Sequence, residues 1–267
     1  MSDSEDMASK MGARSDGPMV LPRAFALLRL LAEFPDGRNL SAISASLDVP
    51  KSSLSSTLKA LTEQGFLDRK GTLYFLGSEA YALASTILAR RSIRQIARPF
   101  LEKTLAETGE TVLLAELEPD KKYSAYIDFV ESEQSVRFAV AIGTRRPLYA
   151  SAAGKVFLAF MNEAEREAYF ASVDLNQLTE RTICDRAKLE ADLKNVRMRG
   201  IAITIGEYSA DAAGFAAPVR NSDGAVIGAV SIGVPVSRGR RERDRYIKAA
   251  VEAGAAISKV MGYSREG

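Results

Sequence analysis

Val49-Pro50-Lys51-Ser52-Ser53-Leu54-Ser55-Ser56-Thr57-Leu58-Lys59-Ala60-Leu61 decides the reading of the first third of the chain. A proline that cannot donate a backbone N–H fits just ahead of a helix, so the spacing predicts a helix starting at Lys51. Leu54, Leu58 and Leu61 form its apolar seam, and Gly65 fits the residue just past its end. The opposite face offers Lys51, Ser52, Ser53, Ser55, Ser56 and Lys59. Short hydroxyl side chains let a helix lie close in a DNA major groove, where they can hydrogen-bond bases or phosphates. The two lysines can neutralise phosphates.

The flanks support this reading. From Val20, the residues Leu21, Phe25, Leu27, Leu28, Leu31 and Ala32 recur with helical spacing, and Phe34-Pro35-Asp36-Gly37 ends the run. Leu40, Ile43, Ser44 and Leu47 predict a short second helix, with Asn39 as its cap and Asp48-Val49-Pro50 as its breaker. Phe66–Lys70 and Thr72–Leu76 flank Gly71 as a hairpin. Helix, short helix, turn, helix and hairpin is the order of a winged helix-turn-helix. Arg23 at the start of the first helix and Ser41 on the second join the DNA-facing candidates, as do Arg69 and Lys70 at the hairpin tip. Between Pro18 and Arg91 there are nine Lys or Arg against six acids, a weak local basic bias. The competing reading is a small helical domain with a solvated serine-rich face.

Residues 1–17 are polar and aperiodic, which reads as a disordered tail, and 18–77 as the DNA-binding domain. Ala80, Leu83, Ala84, Ile87 and Leu88 make a helix of Ser78–Arg91, so 78–92 reads as a linker helix before a second domain, 93–267. Ile93–Thr108 is helical despite Pro99 and ends at Gly109. Thr111–Leu117, Tyr123–Val130 and Val136–Ile142 have strand composition. Gly154–Met161, Glu163–Phe170 and Arg186–Arg199 read as helices, and Ile201–Ile205, Phe215–Val219 and Ala225–Val234 as strands. A last helix covers about Glu242–Met261. The fold class is therefore α+β, in two domains.

Composition narrows the chemistry. The 267 residues are 46% hydrophobic and 26% charged, which fits a globular protein. Thirty-six Lys and Arg against 34 Asp and Glu leave a net charge of +2, so any basic surface must be local. With no histidine, catalytic triads, Cys-His pairs and His-based zinc sites are excluded. A single cysteine, Cys184, excludes an internal disulfide and fits a reducing, cytoplasmic location. No run is long and apolar enough for a membrane helix, and no secretory signal is expected in the acidic N-terminus. No metal, cofactor or catalytic group is expected.

Three stretches resemble the IclR family of bacterial transcription regulators. The first comprises Arg23-Ala24 to Leu31, Val49 to Ser53, Leu58 to Leu61, Gly65 and Tyr74-Phe75-Leu76-Gly77. The second is Pro147-Leu148-Tyr149-Ala150-Ser151-Ala152-Ala153-Gly154-Lys155 with Phe157-Leu158-Ala159. The third is Arg199-Gly200-Ile201-Ala202, Glu207, Gly214-Phe215-Ala216-Ala217-Pro218-Val219, Asp223-Gly224 and Ala229 to Pro235. The resemblance, over about residues 20–262, implies a winged helix-turn-helix, a dimerising linker helix and a C-terminal GAF-like α/β effector-binding domain. It implies a homodimer or homotetramer on a double-stranded DNA operator, tuned by a small organic acid or aromatic catabolite. No enzymatic activity is implied, and repression is the favoured sign.

Carried over residue by residue, the effector loop is Ser151, Ala152, Ala153 and Gly154. The strand positions are Thr204, Gly214, Phe215, Ser231 and Gly233, with Glu207 nearby. Of the tyrosines that could line a pocket (Tyr123, Tyr126, Tyr149 and Tyr208), Tyr126 and Tyr149 are the better candidates. The family often has a basic residue where this chain has Ser55-Ser56, which bears on the operator sequence. Relatives that take very small acids tend to carry Cys or Ser where this chain has Gly214 and Gly233. Two glycines there suggest a larger, aromatic ligand held partly by backbone N–H groups; equally, they relieve strand crowding. The competing class is a sensor or enzyme that acts without DNA, and a third is a structural DNA-coating protein.

Several other signals lead elsewhere. Ala153-Gly154-Lys155 ends like a phosphate-binding loop, but Tyr149 and Val156 break the motif. A Ser151–Lys155 nucleophile pair lacks a nucleophile context. Cys184 reads as a buried or incidental thiol. The run Arg238, Arg240, Arg241, Arg243 and Arg245 reads as a solvated helix start rather than a DNA or subunit contact.

Overall fold

The structure, a computed structural model, describes residues 20–90 and 92–264, so the tail reading of 1–17 lies outside it. The described chain forms two compact units, one ending at Arg90 and one starting at Arg91. In the first, α1 (Val20–Glu33) precedes β1 (Arg38–Asn39), α2 (Leu40–Leu47) and α3 (Lys51–Glu63). Then come β2 (Leu67–Lys70), β3 (Leu73–Leu76) and α4 (Ser78–Arg90). Leu27, Leu31, Ile43, Leu54, Leu58 and Leu67 are fully or almost fully buried and make one core. Asn39 Oδ1 accepts the Ala42 N–H at 2.9 Å, which starts α2. Asp48 ends it in the left-handed region with φ 50°, and this turn aims α3. Strand β1 has no counterpart in the sequence reading; its two residues pair with β3, too short a stretch to show any alternation.

The second unit contains α5 (Ile93–Thr108), β4 (Thr111–Leu117), β5 (Tyr123–Val130) and β6 (Arg145–Pro147). Next come α6 (Ala152–Phe160), α7 (Glu163–Ser172), α8 (Arg186–Arg199) and β7 (Ala202–Ile205). The unit ends with β8 (Ala212–Arg220), β9 (Val226–Pro235), α9 (Val236–Arg241) and α10 (Arg243–Val260). The strands form one sheet of order β6-β5-β4-β9-β8-β7, with every neighbouring pair antiparallel. Strand alternation gives the sheet two apolar faces. Leu113, Ala202, Ala216 and Ala229 pack with α6 and α8, whereas Val112, Leu114, Phe215, Val230 and Ile232 pack with α5 and α10.

Val136–Ile142, expected as a strand, is irregular, and residues 131–144 hold neither helix nor strand. The available edge of β5 is taken instead by β6, which pairs Ala125 with Arg145. Val136 and Ile142 stand in solvent. The segment is tied down by side chains: Thr111 Oγ1 donates to the Phe138 carbonyl and Arg238 Nη2 to the Val136 carbonyl, both at 2.7 Å. Arg238 is thereby drawn out of the expected solvated cluster. Its guanidinium also grips buried Glu110 (Nη2 to Oε2 2.9 Å), to which the Tyr246 hydroxyl donates at 3.1 Å. Burial, reinforced by the Glu110 charge, pushes the Tyr246 phenol up to about 12. The other arginines of the run fit the solvated reading better: Arg241 and Arg245 pair with Glu242 in the open. Cys184, expected as buried or incidental, is exposed.

Helix α6 is buried from Ala152 through Ala159. Its fit depends on Gly154, where a Cβ would lie 2.4 Å from Leu148 Cα and 2.7 Å from its carbonyl oxygen. Lys155 has no exposed surface, and its Nζ lies 2.7 Å from both Asp192 Oδ2 on α8 and Glu207 Oε2 just after β7. The ammonium therefore pins α6 to its neighbours on two sides, and it is not free to activate Ser151. Burial pushes the Glu207 carboxyl above its ordinary value, with Lys155 pulling the other way and Asp192 adding to the rise.

Two tests follow from this ion cluster. Removing one partner of a buried ion pair costs about 3–5 kcal/mol. Lys155→Met should therefore lower the urea unfolding midpoint markedly; an unchanged midpoint contradicts the pinning role. A carboxyl with a raised folded pKa contributes stability that is complete below its unfolded value and lost as pH rises through the raised one. Glu207→Gln should remove that decline from the stability profile in the weakly acidic range above 4.5, the ordinary carboxyl value. An identical slope in parent and variant would assign the decline to other groups.

Candidate nucleic-acid interface and ligand cavity

Helix α3 divides cleanly by burial. Leu54, Thr57 and Leu58 are buried, while Lys51, Ser52, Ser55, Ser56 and Lys59 are exposed and Ser53 is half-buried. The Ser55 hydroxyl donates to the Lys51 carbonyl at 2.9 Å, leaving its oxygen free to accept. Lys59 lies 3.7 Å from Glu63, both well exposed, and such a pair is held too weakly to keep the lysine from a phosphate. Ser41 is exposed on α2. Arg69 and Lys70 are exposed at the end of β2; Arg69 Nε donates to the Gly71 carbonyl at 3.0 Å and so braces the hairpin turn. Arg23 differs, being half-buried with its Nε unpartnered among the described residues.

In the second unit a cavity lies where the N-terminus of α6 meets the sheet. Leu113, Tyr126, Ser231 and Gly233 supply its sheet wall, with Thr204 and Gly214 beside them. Ala150, Ser151 and Ala152 form the helix end, and Phe138, Arg146, Tyr208 and Ser209 close the remainder. The enclosed space is about 40 Å³, room for a few water molecules. The positive end of the α6 dipole is at this cavity. Ser151 organises that end: its hydroxyl donates to the Pro147 carbonyl at 2.9 Å and accepts the Gly154 N–H at 3.1 Å.

Adjacent arginines of β6 have opposite fates. Arg145 is spent on Glu118 and Asp120 and lies over the Tyr123 ring at 4.3 Å. Arg146, on the other side of the pleat, has no acidic partner among the described residues. Its guanidinium lies over the Tyr208 ring at 4.2 Å and near that of Tyr126 at 6.0 Å, and Nη1 donates to the Tyr208 hydroxyl at 3.2 Å. Burial pushes the Tyr126 phenol up, partly offset by Arg146, so it stays a neutral donor.

The cavity gathers Tyr126, Ser151, Ala152, Thr204, Gly214, Ser231 and Gly233 from the expected residues. Tyr149, Ala153, Gly154, Glu207 and Phe215 are not part of its wall. The Tyr149 hydroxyl donates to the Asn176 carbonyl at 3.0 Å, inside the α6 core. Phe215 is one strand position from Gly214 and therefore faces the opposite side of the sheet, against Tyr246. Ala153 and Gly154 are packed inside α6, and Glu207 is committed to Lys155. Sequence reasoning missed Phe138 and Arg146, because the strand assigned to 136–142 hid the first and no pattern separates Arg146 from Arg145. It named Tyr208 but preferred Tyr149. At both glycines the crowding explanation holds: a Cβ on Gly214 would meet Ala152 Cβ at 3.0 Å, and one on Gly233 would meet the Phe138 ring at 2.5 Å.

Known proteins carry the same architecture. Residues 20–71 match the IclR helix-turn-helix domain, and 85–259 match the bacterial transcriptional regulator IclR C-terminal family. The chain is 31% identical to the HTH-type transcriptional regulator KipR of Bacillus subtilis, over 91% of this chain and 96% of KipR. It is 29% identical to the transcriptional repressor IclR of Escherichia coli, over 90% and 86% of the two chains. The crystal structure of the Agobacterium tumefaciens repressor BlcR superposes with a TM-score of 0.81 at 26% identity, covering 94% of this chain and all of that one. These relatives are regulators rather than enzymes, and the chain belongs to the IclR family of DNA-binding bacterial transcriptional regulators.

Proposed function

We propose that the protein is a ligand-responsive repressor, cytoplasmic and working as a homodimer or homotetramer, whose operator affinity is set by a small organic acid or aromatic catabolite. The observation that carries the ligand reading is Arg146, a half-buried cation without an acidic partner among the described residues, facing a cavity at a helix N-terminus. Both features favour an anion. Repression has the support of the relatives named as repressors. The DNA face is the exposed stripe Lys51, Ser52, Ser55, Ser56 and Lys59, with Ser41, Ser53, Arg69 and Lys70 beside it and Arg23 at its margin. With domain limits read as 18–77, 78–92 and 93–267, α4 is the joint in the chain between reader and sensor.

The mechanism is a population shift. An effector that binds one arrangement of the sensor domains better than another moves the equilibrium by its differential affinity. Typical coupling of about 1–3 kcal/mol corresponds to about 5- to 150-fold in operator affinity.

Each half has its own test. In gel shifts with operator DNA selected by the parent protein from a random-sequence pool, joint replacement of Lys51, Ser52 and Ser56 by Ala should abolish specific binding while leaving the melting temperature close to that of the parent. Retained specific binding by the triple variant moves the interface elsewhere. On the sensor side, a panel of organic and aromatic acids is screened by thermal unfolding. A ligand at about 100 times its dissociation constant adds about 2.7 kcal/mol. A hit should also move the gel-shift midpoint; a hit with no effect on DNA binding contradicts the coupling.

A further inference from the structure

We propose that the open edge of β7 is a docking site for an extended, acidic segment of another protein, which adds to the sheet as a seventh strand. The six-stranded sheet ends at β7, which pairs with β8 on one side only. Just past β7, the Gly206 N–H donates to the Ala212 carbonyl at 2.9 Å. Gly206 continues the register in which Ala202 opposes Ala216 and Thr204 opposes Gly214. Backbone polar groups alternate in direction along a strand. Ala202 and Thr204 therefore turn theirs toward β8, and Ile203 and Ile205 turn theirs outward. Among the described residues, neither the N–H nor the carbonyl of Ile203 or Ile205 has a partner.

That edge lies in a groove of about 320 Å³ rather than on an open ledge. Asp192, Asn195, Val196 and Arg199 recur on α8 at helical spacing and form one wall. Arg199 stands where the chain leaves α8 for β7. Arg181 stands at the other end of the strand, where a Cβ on Gly206 would lie 3.2 Å from its Cδ. Arg243, the first residue of α10, completes the lining. The groove thus has the length of one short strand, with a cation at each end.

Charge decides what fits there. Arg181, Arg199 and Arg243 are exposed and have no acidic partner among the described residues. Arg186, Arg238, Arg241 and Arg245, by contrast, are all paired with acids. The two acids of the groove wall, Asp192 and Glu207, are taken by Lys155. Main-chain pairing accepts any extended segment, so the unspent cations select acidic side chains on it. A second copy of this edge fits worse, because pairing two β7 strands would set arginines against arginines. This surface is independent of the effector cavity: Thr204 faces that cavity, and the backbone groups of Ile203 and Ile205 face the groove.

The test is fluorescence anisotropy on the full-length protein with a labelled, end-blocked peptide of alternating valine and glutamate. Two further forms carry backbone N-methyl groups, one on the valines and one on the glutamates. An added strand turns only every second N–H toward β7, so one methylated form should lose about 10-fold or more in affinity while the other keeps it. Ile203→Pro and Ile205→Pro each delete one outward N–H without cutting the ladder to β8, and each should weaken the plain peptide about 3- to 10-fold. Joint replacement of Arg199 and Arg243 by Gln should weaken it about 5- to 30-fold. If a proline variant fails to fold, the methylated peptides, which need no variant, decide. Equal affinity for all three peptides overturns strand addition. If none binds, the arginines merely guard a short edge, and the inference falls. It falls equally if the arginine replacements change the sedimentation of the protein and not its peptide affinity, for the edge is then a contact between copies of this chain.

Discussion

The second unit is organised around the close approach of α6 to the chain that leads into it. Gly154 allows the helix backbone to pass Leu148 where no other side chain would fit, and Lys155 then spans to α8 on one side and to the end of β7 on the other. The net charge of the cluster is negative, one ammonium between two carboxylates. Burying it is expensive, and the raised Glu207 carboxyl is the visible sign of that cost. What the expense secures is position: the N-terminal end of a short helix held against the sheet, with Ser151 capping it. The cavity exists because that end is fixed there.

Strand alternation does the rest. On β8, Gly214 faces α6 and Phe215 faces α10; on β9, Ser231 and Gly233 face α6 while Ile232 and Val234 face the other core. One face of the sheet is thus mostly apolar, with buried Asp128 on β5 paired to Arg98 of α5, and the other combines an apolar floor with hydroxyls. That mostly apolar face packs against α5 and α10. The mixed face is covered by α6 and α8, and the cavity lies where the bare backbone of Gly233 meets the Phe138 side chain rather than a helix.

Much of this was legible in the sequence. The serine-lined third helix, its leucine seam, the cap at Asn39 and the break at Asp48-Val49-Pro50 all have local physical causes, so pattern reading recovered them. The helix Arg186–Arg199 came out with its bounds intact because an aspartate cap and a glycine stop mark its ends. Failures occurred where a distant partner decides the outcome. Val136–Ile142 has strand composition, but β6 occupies the edge of β5 and side chains from β4 and α9 hold the segment instead. Tyr149 and Phe215 were chosen by proximity in sequence to cavity residues, and the helix and the pleat turned both away. No local signal distinguishes the neighbouring Arg145 and Arg146, since the difference lies in acids near Asp120, a β-hairpin away.

That last pair has a wider consequence. Two consecutive arginines on an edge strand necessarily face opposite ways, so a single acidic cluster can satisfy only one of them. Glu118 and Asp120 take Arg145 and thereby leave Arg146 to the cavity side, stacked on Tyr208. An arginine held by aromatic rings keeps its guanidinium oriented while its charge stays uncompensated, which gives preorganisation without occupancy. A carboxylate entering such a site meets a cation that has already lost much of its freedom. The entropic cost of ordering the arginine therefore falls on folding.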